Sequence, residues 1–334
     1  MKWRKVQHKS HGASVDAIAP EIISASRSTD IPAFYSKWFF NRLEAGYSKW
    51  INPFNRRAQF ISFENTRAII FWSKNPKPLL PHLHILDKKQ IGYYIQFTMN
   101  DYEEEGLEPS VPSLASRIET FKALSDRIGP DRVIWRFDPL IFTDSINPTK
   151  LLSKIKKVGD LLSGYTSKLV FSFADICNYK KVQNNLKRQN ITHRDFTLSE
   201  IELLSSEISN LCSQWGIPAF TCGESVDLSE FGIHHNKCID DKLILKITNN
   251  HPDILRLFGL DSPEQLSLLA PKPKQKNLKD TGQRNECGCI LSKDVGQYNT
   301  CPHRCVYCYA NTSDNVVAKN VRAFRPDGES IIPE

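Results

Sequence analysis

Tyr93–Thr98 (YYIQFT), Ser113–Ile128 (SLASRIETFKALSDRI) and Arg132–Phe137 (RVIWRF) follow one another along the chain, and their order decides the fold. The outer two runs are apolar, aromatic and of strand length. The middle run sets Leu114, Ile118, Phe121, Leu124 and Ile128 on one helical face and stops at Gly129. A strand, a helix and a second strand in that order imply parallel pairing through a right-handed crossover.

The same unit repeats on both sides. Upstream stand the apolar runs Glu21–Ala25 (EIISA) and Ala68–Trp72 (AIIFW), with a helix expected over Phe34–Ala45 between Pro32 and Gly46. Downstream stand Lys168–Phe173 (KLVFSF) and Ile217–Thr221 (IPAFT), the second weakened by Pro218. Asn147-Pro148 opens a helix carrying Leu151, Leu152, Ile155, Val158 and Leu162, and Gly164 follows it. Thr197-Leu198-Ser199-Glu200 is a capping box opening a helix that stops at Gly216. Six strands separated by helices predict an α/β fold, an incomplete (βα)6 barrel with parallel strands. The expected layout is a basic segment over residues 1–20, the barrel over 21–222, a helical extension over 223–270, and a linker with a cysteine-rich segment over 271–334.

The chain has 334 residues, 40% of them hydrophobic, enough for a large core. It holds no run of 18 apolar residues, and Met1–Gly12 is basic and polar, so membrane insertion and export are not expected and a cytoplasmic location is. Nine cysteines, an odd number, point to metal or redox use in a reducing compartment and away from a disulfide framework. The net charge of +7 fits a nucleic acid or phosphorylated substrate, and equally well ordinary surface lysines.

Cys301, Cys305 and Cys308 lie in Cys301-Pro302-His303-Arg304-Cys305-Val306-Tyr307-Cys308-Tyr309-Ala310. Three thiolates at this spacing can hold three irons of a [4Fe–4S] cluster, leaving the fourth iron open to a ligand. Half of a structural zinc site is the competing reading. With Tyr307 before the third Cys, the motif resembles the cluster loop of the radical S-adenosylmethionine (SAM) superfamily, and its Y-C-Y-A tail resembles the spore photoproduct lyase-like subset. The resemblance implies SAM chelated at the open iron, electron delivery by a flavodoxin or ferredoxin, reductive SAM cleavage and hydrogen abstraction from an unknown substrate. In typical members the cluster loop follows the first strand, whereas here Ser26–Asp30 has no Cys and the motif comes after the sixth strand. From Ala25 to about Ala310 the chain is also similar to a bacterial family catalogued as a domain of unknown function. Its members begin with a Ser-Arg-x-Thr-Asp-Ile-Pro-like segment and end with a radical SAM-like cysteine cluster.

Cys177 and Cys212 border apolar helical stretches and read as buried, inert thiols. Cys222, Cys238, Cys287 and Cys289 have no evident packing role and are candidates for a second iron–sulfur cluster or one zinc. The strand ends supply polar candidates. Arg27, Asp30, Lys74, Arg136 and Asp138 are the expected catalytic contacts, and Lys74, Asn75, Gln96, Thr98, Ser172 and Tyr307 the expected cofactor contacts. Asp175 also ends a strand, and Arg136 with Asp138 can equally be a structural ion pair. His234 and His235 read as surface histidines. Pro271–Lys279 (PKPKQKNLK) reads first as a solvated tether and second as a nucleic-acid contact. Two functions compete: a radical SAM enzyme, and a non-catalytic iron–sulfur or zinc protein associated with nucleic acid. The first predicts the cysteine loop over the C-terminal strand ends, with Arg27, Lys74 and Arg136 facing it.

Overall fold

In the computed structural model of the chain, residues 3–10, 13–260 and 278–333 are described. The larger sheet is formed by β3 (Ile22–Ala25), β6 (Ala68–Ser73), β7 (Gly92–Thr98), β8 (Val133–Leu140), β9 (Leu169–Phe173), β10 (Ala219–Thr221), β11 (His234–His235) and β12 (Lys293–Asp294). Its order is β11-β10-β9-β8-β7-β6-β3-β12, and every pairing is parallel.

The six apolar runs therefore all become strands, in sequence order. Two additions correct the count to eight. His234–His235 and Lys293–Asp294 are two-residue edge strands, too short and too polar to carry a period-2 signal. Among the described residues β11 and β12 do not pair with each other, so the sheet is open and no closed barrel forms.

The N-terminal segment is more than a basic arm. β1 (Lys5–Ser10) and β2 (Ala13–Ile18) pair antiparallel, and with β4 (Tyr47–Ile51) and β5 (Ala58–Ser62) they form a second sheet of order β1-β2-β5-β4.

The three long crossover helices begin where side chains satisfy their first N–H groups. In α4 (Leu114–Ile128) Ser113 accepts from Ser116 N, and in α5 (Pro148–Leu162) Asn147 accepts from Lys150 N ahead of Pro148. α7 (Leu198–Trp215) carries the complete Thr197/Glu200 capping box and ends on left-handed Gly216. The helix expected over Phe34–Ala45 is broken at Tyr35 into α1 (Ile31–Phe34) and α2 (Ser36–Ala45). α3 (Leu83–Lys88) and α6 (Lys180–Arg188) complete the crossovers. Gly159 lies in the interior of α5 because α7 passes directly over it. A Cβ there would stand 2.2 Å from the Trp215 ring.

Alternate residues of the strands face opposite sides. Ile69, Phe71, Ile95, Trp135 and Phe171 pack with α2 to α7. Ile22, Ile70, Tyr94, Ile134 and Val170 face the other way, beneath α8 (Asp241–Ile247), α9 (Pro252–Phe258) and the segment Cys287–Ile290. All crossover helices thus lie on one face, and the C-terminal segments cover the other. The segment expected as a helical extension over 223–270 holds the strand β11 as well as the helices α8 and α9. Its remainder (261–270) and residues 271–277 of the expected tether lie outside the described residues. α10 (Asp314–Ala323) follows the cysteine motif.

Candidate functional site

The cysteine loop reaches the strand ends through β12. Lys293 and Asp294 pair with Ile23 and Ser24, so the chain leaves the sheet at the same end as the loop after β3. The Asp294 carboxylate accepts from Arg27 N (2.7 Å) and Gly296 N (2.8 Å). Gly296 is obligatory, since a Cβ would fall 1.8 Å from Ser26 Oγ. The loop is then fastened outward: Tyr35 donates its hydroxyl to Thr300 O (2.5 Å), and Val306 N donates to Leu107 O (2.9 Å). Tyr309 donates to Arg27 O (2.8 Å). Cys301–Cys308 accordingly lies over the C-terminal ends of β3, β6 and β7.

Beneath it sits a buried polar network. Asp30 receives Ser73 Oγ (2.7 Å), Lys74 N (2.8 Å), Ala33 N (2.9 Å) and His303 Nε2 (2.8 Å). Burial alone would raise its pKa, but the His303 hydrogen bond and charge, with the Lys74 N–H and Ser73 bonds, hold it below the usual carboxylate range. Lys74 Nζ lies 2.7 Å from Glu108 and 2.8 Å from the Tyr307 hydroxyl. Tyr307 also donates to Glu108, and Asn100 Nδ2 reaches both Tyr307 (3.0 Å) and Glu108 (3.1 Å). Burial opposes the charge of Glu108, yet Lys74 and Arg117 overcome it and its pKa is lowered. Glu108, Asn100 and His303 escape a sequence reading because they stand in loops or at a strand end with no periodic or motif signal.

The other expected residues divide between this network and a second locus. Arg136 donates to Asp138, and through Nη1 to Cys238 Sγ (2.8 Å) and Gln96 Oε1 (3.4 Å). Ser172 donates to Asp138, while Gln96 Nε2 donates to Cys238 O (2.9 Å). Asp138 is half-buried and held below the ordinary range, because Arg136 and Ser172 outweigh its desolvation. Arg27 Nη1 lies 3.5 Å from Asp280, and its guanidinium sits 5.2 Å from the Trp72 ring centre. Of the three cations expected to face the cysteine triplet, only Lys74 contacts its loop by side chain. Arg27 and Arg136 turn to the four other cysteines, which the fold brings beside these two strand ends. Asn75 donates its N–H to Ser73 Oγ (2.9 Å), and Thr98 ends β7 opposite Arg136. Asp175 turns back to Asn178 (2.7 and 2.8 Å). His234 and His235 are exposed, as expected of surface histidines. Cys212 is buried as read, but Cys177 is exposed, a correction that follows from its place in a short turn after β9.

All nine cysteines are free thiols. Burial pushes the Cys301 thiol up to about 12 and the Cys305 thiol well above its ordinary value, and each of the pair feels the charge of Cys308. Among the described residues no three His, Cys, Asp or Glu side chains surround a common point in ligand geometry. Cys301, Cys305 and Cys308 are three sulfur donors on one loop, the donor type an iron–sulfur cluster takes, and the charge of Lys74 opposes the burial that raises Cys305.

The sequence profile of the family described as a domain of unknown function (DUF1848) matches residues 22–310. The chain belongs to the DUF1848 family. No curated protein matches it. Among solved structures, one assigned as an alpha-L-fucosidase of Bacteroides thetaiotaomicron aligns at 11% identity, over 59% of this chain and 75% of that one, with a TM-score of 0.27. A superposition that loose carries no argument. Among the described residues no helix is long and apolar enough to cross a membrane.

Proposed function

We propose that this DUF1848 protein is a radical SAM-type enzyme on a partial-barrel scaffold, with Cys301, Cys305 and Cys308 as ligands of a [4Fe–4S] cluster. One observation carries the reading: the C-x3-C-x2-C loop stands over the C-terminal ends of parallel strands, where a βα scaffold assembles its active site. When bound, the cluster would supply the electron that cleaves SAM and so yields the radical for hydrogen abstraction.

The chain's own residues have definable parts. Lys74, held by Glu108 and Tyr307, places a cation near Cys305, where it offsets part of the burial that disfavours the thiolate. His303 and Asp30 clamp the loop from below. Asp138, ionised and half-exposed between Arg136 and Ser172, is the polar group best placed to hold a substrate or SAM ammonium. The buried Tyr102 ring and the half-buried Tyr307 ring against it close the floor against water.

The test is anaerobic reconstitution with iron and sulfide, then SAM and dithionite. Wild type is expected to form 5′-deoxyadenosine, and C301A/C305A/C308A to lose both the cluster absorption and the cleavage while remaining folded. Cleavage by the triple variant, or a reconstituted wild type that never cleaves SAM, would defeat the proposal in favour of a non-catalytic metal protein.

A further inference from the structure

Cys222, Cys238, Cys287 and Cys289 come from three parts of the chain and meet on the covered face of the sheet. Cys222 follows β10, Cys238 follows β11, and Cys287 and Cys289 precede β12. Cys222 and Cys238 sulfurs lie 3.4 Å apart. Cys289 accepts at 3.4 Å from the N–H of Ile239, the residue next to Cys238, which brings the third segment to the same place. Cys238, Cys287 and Cys289 belong to the apolar cluster beneath α8 and α9, with Cys222 packed against it.

Two cations are directed at this group. Arg136 Nη1 donates to Cys238 Sγ at 2.8 Å, and Asn236 Nδ2 donates to the same sulfur at 3.3 Å. The Arg27 guanidinium is close enough to feel the charge of Cys289, and its Nη2 is buried without an acceptor. A neutral thiol is a weak acceptor and gives a buried guanidinium little reason to point at it. Four thiolates around a divalent ion carry a net charge of −2, which two guanidinium groups offset. Donors on a ligand sulfur, as Arg136 and Asn236 are on Cys238, are what the outer shell of a thiolate site requires.

We infer that Cys222, Cys238, Cys287 and Cys289, whose side chains as they stand do not surround a common point, turn onto a single tetrahedral thiophilic ion, zinc, which ties the segment before the cysteine loop to β10 and β11. The spacing fits a tetrahedral ion and does not fit a four-iron cluster. Zn–S bonds near 2.3 Å give a tetrahedral edge of about 3.8 Å, close to the 3.4 Å already present between Cys222 and Cys238. A four-iron cluster holds its cysteine sulfurs much farther apart. Four protein ligands leave no open position, so the site is structural. It stands whether or not the triplet binds a cluster.

The experiment uses full-length C301A/C305A/C308A, in which the triplet cannot contribute. About one zinc per chain is expected by elemental analysis after desalting. Adding C238S and C289S should abolish it, and R136Q should weaken zinc retention against a chelator by about 10- to 100-fold. Should the five-fold variant fail to fold, cobalt(II) titration of the metal-stripped triple variant decides instead. Intense visible bands of a tetrahedral tetrathiolate are expected. A folded triple variant that takes up neither zinc nor cobalt overturns the site. So does zinc that survives C238S/C289S. Iron with stoichiometric sulfide on these four cysteines overturns the single-ion assignment.

Discussion

Asp30→Ala should be among the most damaging single changes in this chain, because one carboxylate joins three separate segments. It accepts from Ala33 N, from Ser73 Oγ and Lys74 N after β6, and from His303 Nε2 in the cysteine loop, all between 2.7 and 2.9 Å. Asp30 and His303 side chains are 6% and 2% exposed, so water cannot replace either partner. A hydrogen bond to a charged group contributes roughly 1.5–3 kcal/mol, and unpairing one member of a buried ion pair costs about 3–5 kcal/mol. The four bonds share one acceptor and do not add, so about 4 kcal/mol is expected, a large part of the 5–15 kcal/mol typical of a folded domain.

Urea unfolding followed by circular dichroism measures that loss. H303Q removes only one of the four bonds and should cost about 2 kcal/mol. A D30N/H303Q double-mutant cycle should return a coupling of roughly 1.5 kcal/mol. Hydrogen exchange gives the local signature: the amides of Ser110 and Val306, which tie the loop to His303 O and Leu107 O, should lose protection while α7 keeps its own. If D30A costs under about 1 kcal/mol, or loosens α7 as much as the cysteine loop, Asp30 does not pin that loop.

K74M removes the cation 2.7 Å from Glu108, leaving that carboxylate its Tyr307 and Asn100 hydrogen bonds and, among the described residues, one cation, Arg117 at 3.8 Å. A loss of about 3 kcal/mol is expected in the same urea assay, smaller at acid pH where Glu108 is protonated. Asp30, Glu108 and Asp138 all have folded-state pKa values below their ordinary ones, so the unfolded chain binds more protons in acid. Their stabilisation is therefore complete above the ordinary carboxylate range, about 4 to 4.5, and is lost as pH falls through the depressed values. Urea midpoints from neutrality to pH 3 should fall steeply in wild type and less steeply in D30N. G296A forces a methyl group into Ser26 and Ser28, at 1.8 Å and 2.7 Å from their hydroxyls. It should cost about 3 kcal/mol and separate β12 from β3, read as lost protection at Val295 N, which donates to Ser24 O.

What was legible in the sequence follows from which forces are periodic. The six strands that bury both faces are continuous apolar runs, and α4, α5 and α7 carry caps whose side chains bond as their spacing requires. β1, β2, β4 and β5 were missed because their sheet is half solvated and built on residues such as Lys5, Gln7, Lys9 and Lys49, which show no apolar run. The edge strands β11 and β12 are specified by neighbours and not by their own residues. At the site, strand-end residues such as Asp30, Lys74, Arg136 and Asp138 could be named, since the ends of parallel strands converge wherever the fold is right. Their partners could not. Glu108 and His303 are chosen by loop paths, and the division of Arg27 and Arg136 toward the four-cysteine locus depends on where Cys238 and Cys289 land in space.

The late position of the cysteine motif is explained by sheet topology. A loop emerges over the active end of a parallel sheet if the strand before it runs parallel to its neighbours; its place in the chain is immaterial. Lys293–Asp294 meets that condition at minimal length, pairing with Ile23 and Ser24 at the free edge beside the first large-sheet strand. Asp294 then bonds Arg27 N across 267 residues of sequence, and the cysteine loop and the Ser26–Asp30 loop rise side by side. The segment that would follow a first strand in sequence is thus supplied next to that strand in space. Two residue pairs are a weak attachment by themselves, and an edge strand of this length does not hold a loop. The attachment must come from elsewhere: from Asp30 and His303 in front, and from Cys287 and Cys289 just behind, where a shared ion with Cys222 and Cys238 would fix the approach to β12. On that account the four-cysteine locus is part of what positions Cys301, Cys305 and Cys308, and the two sets of thiols are one construction.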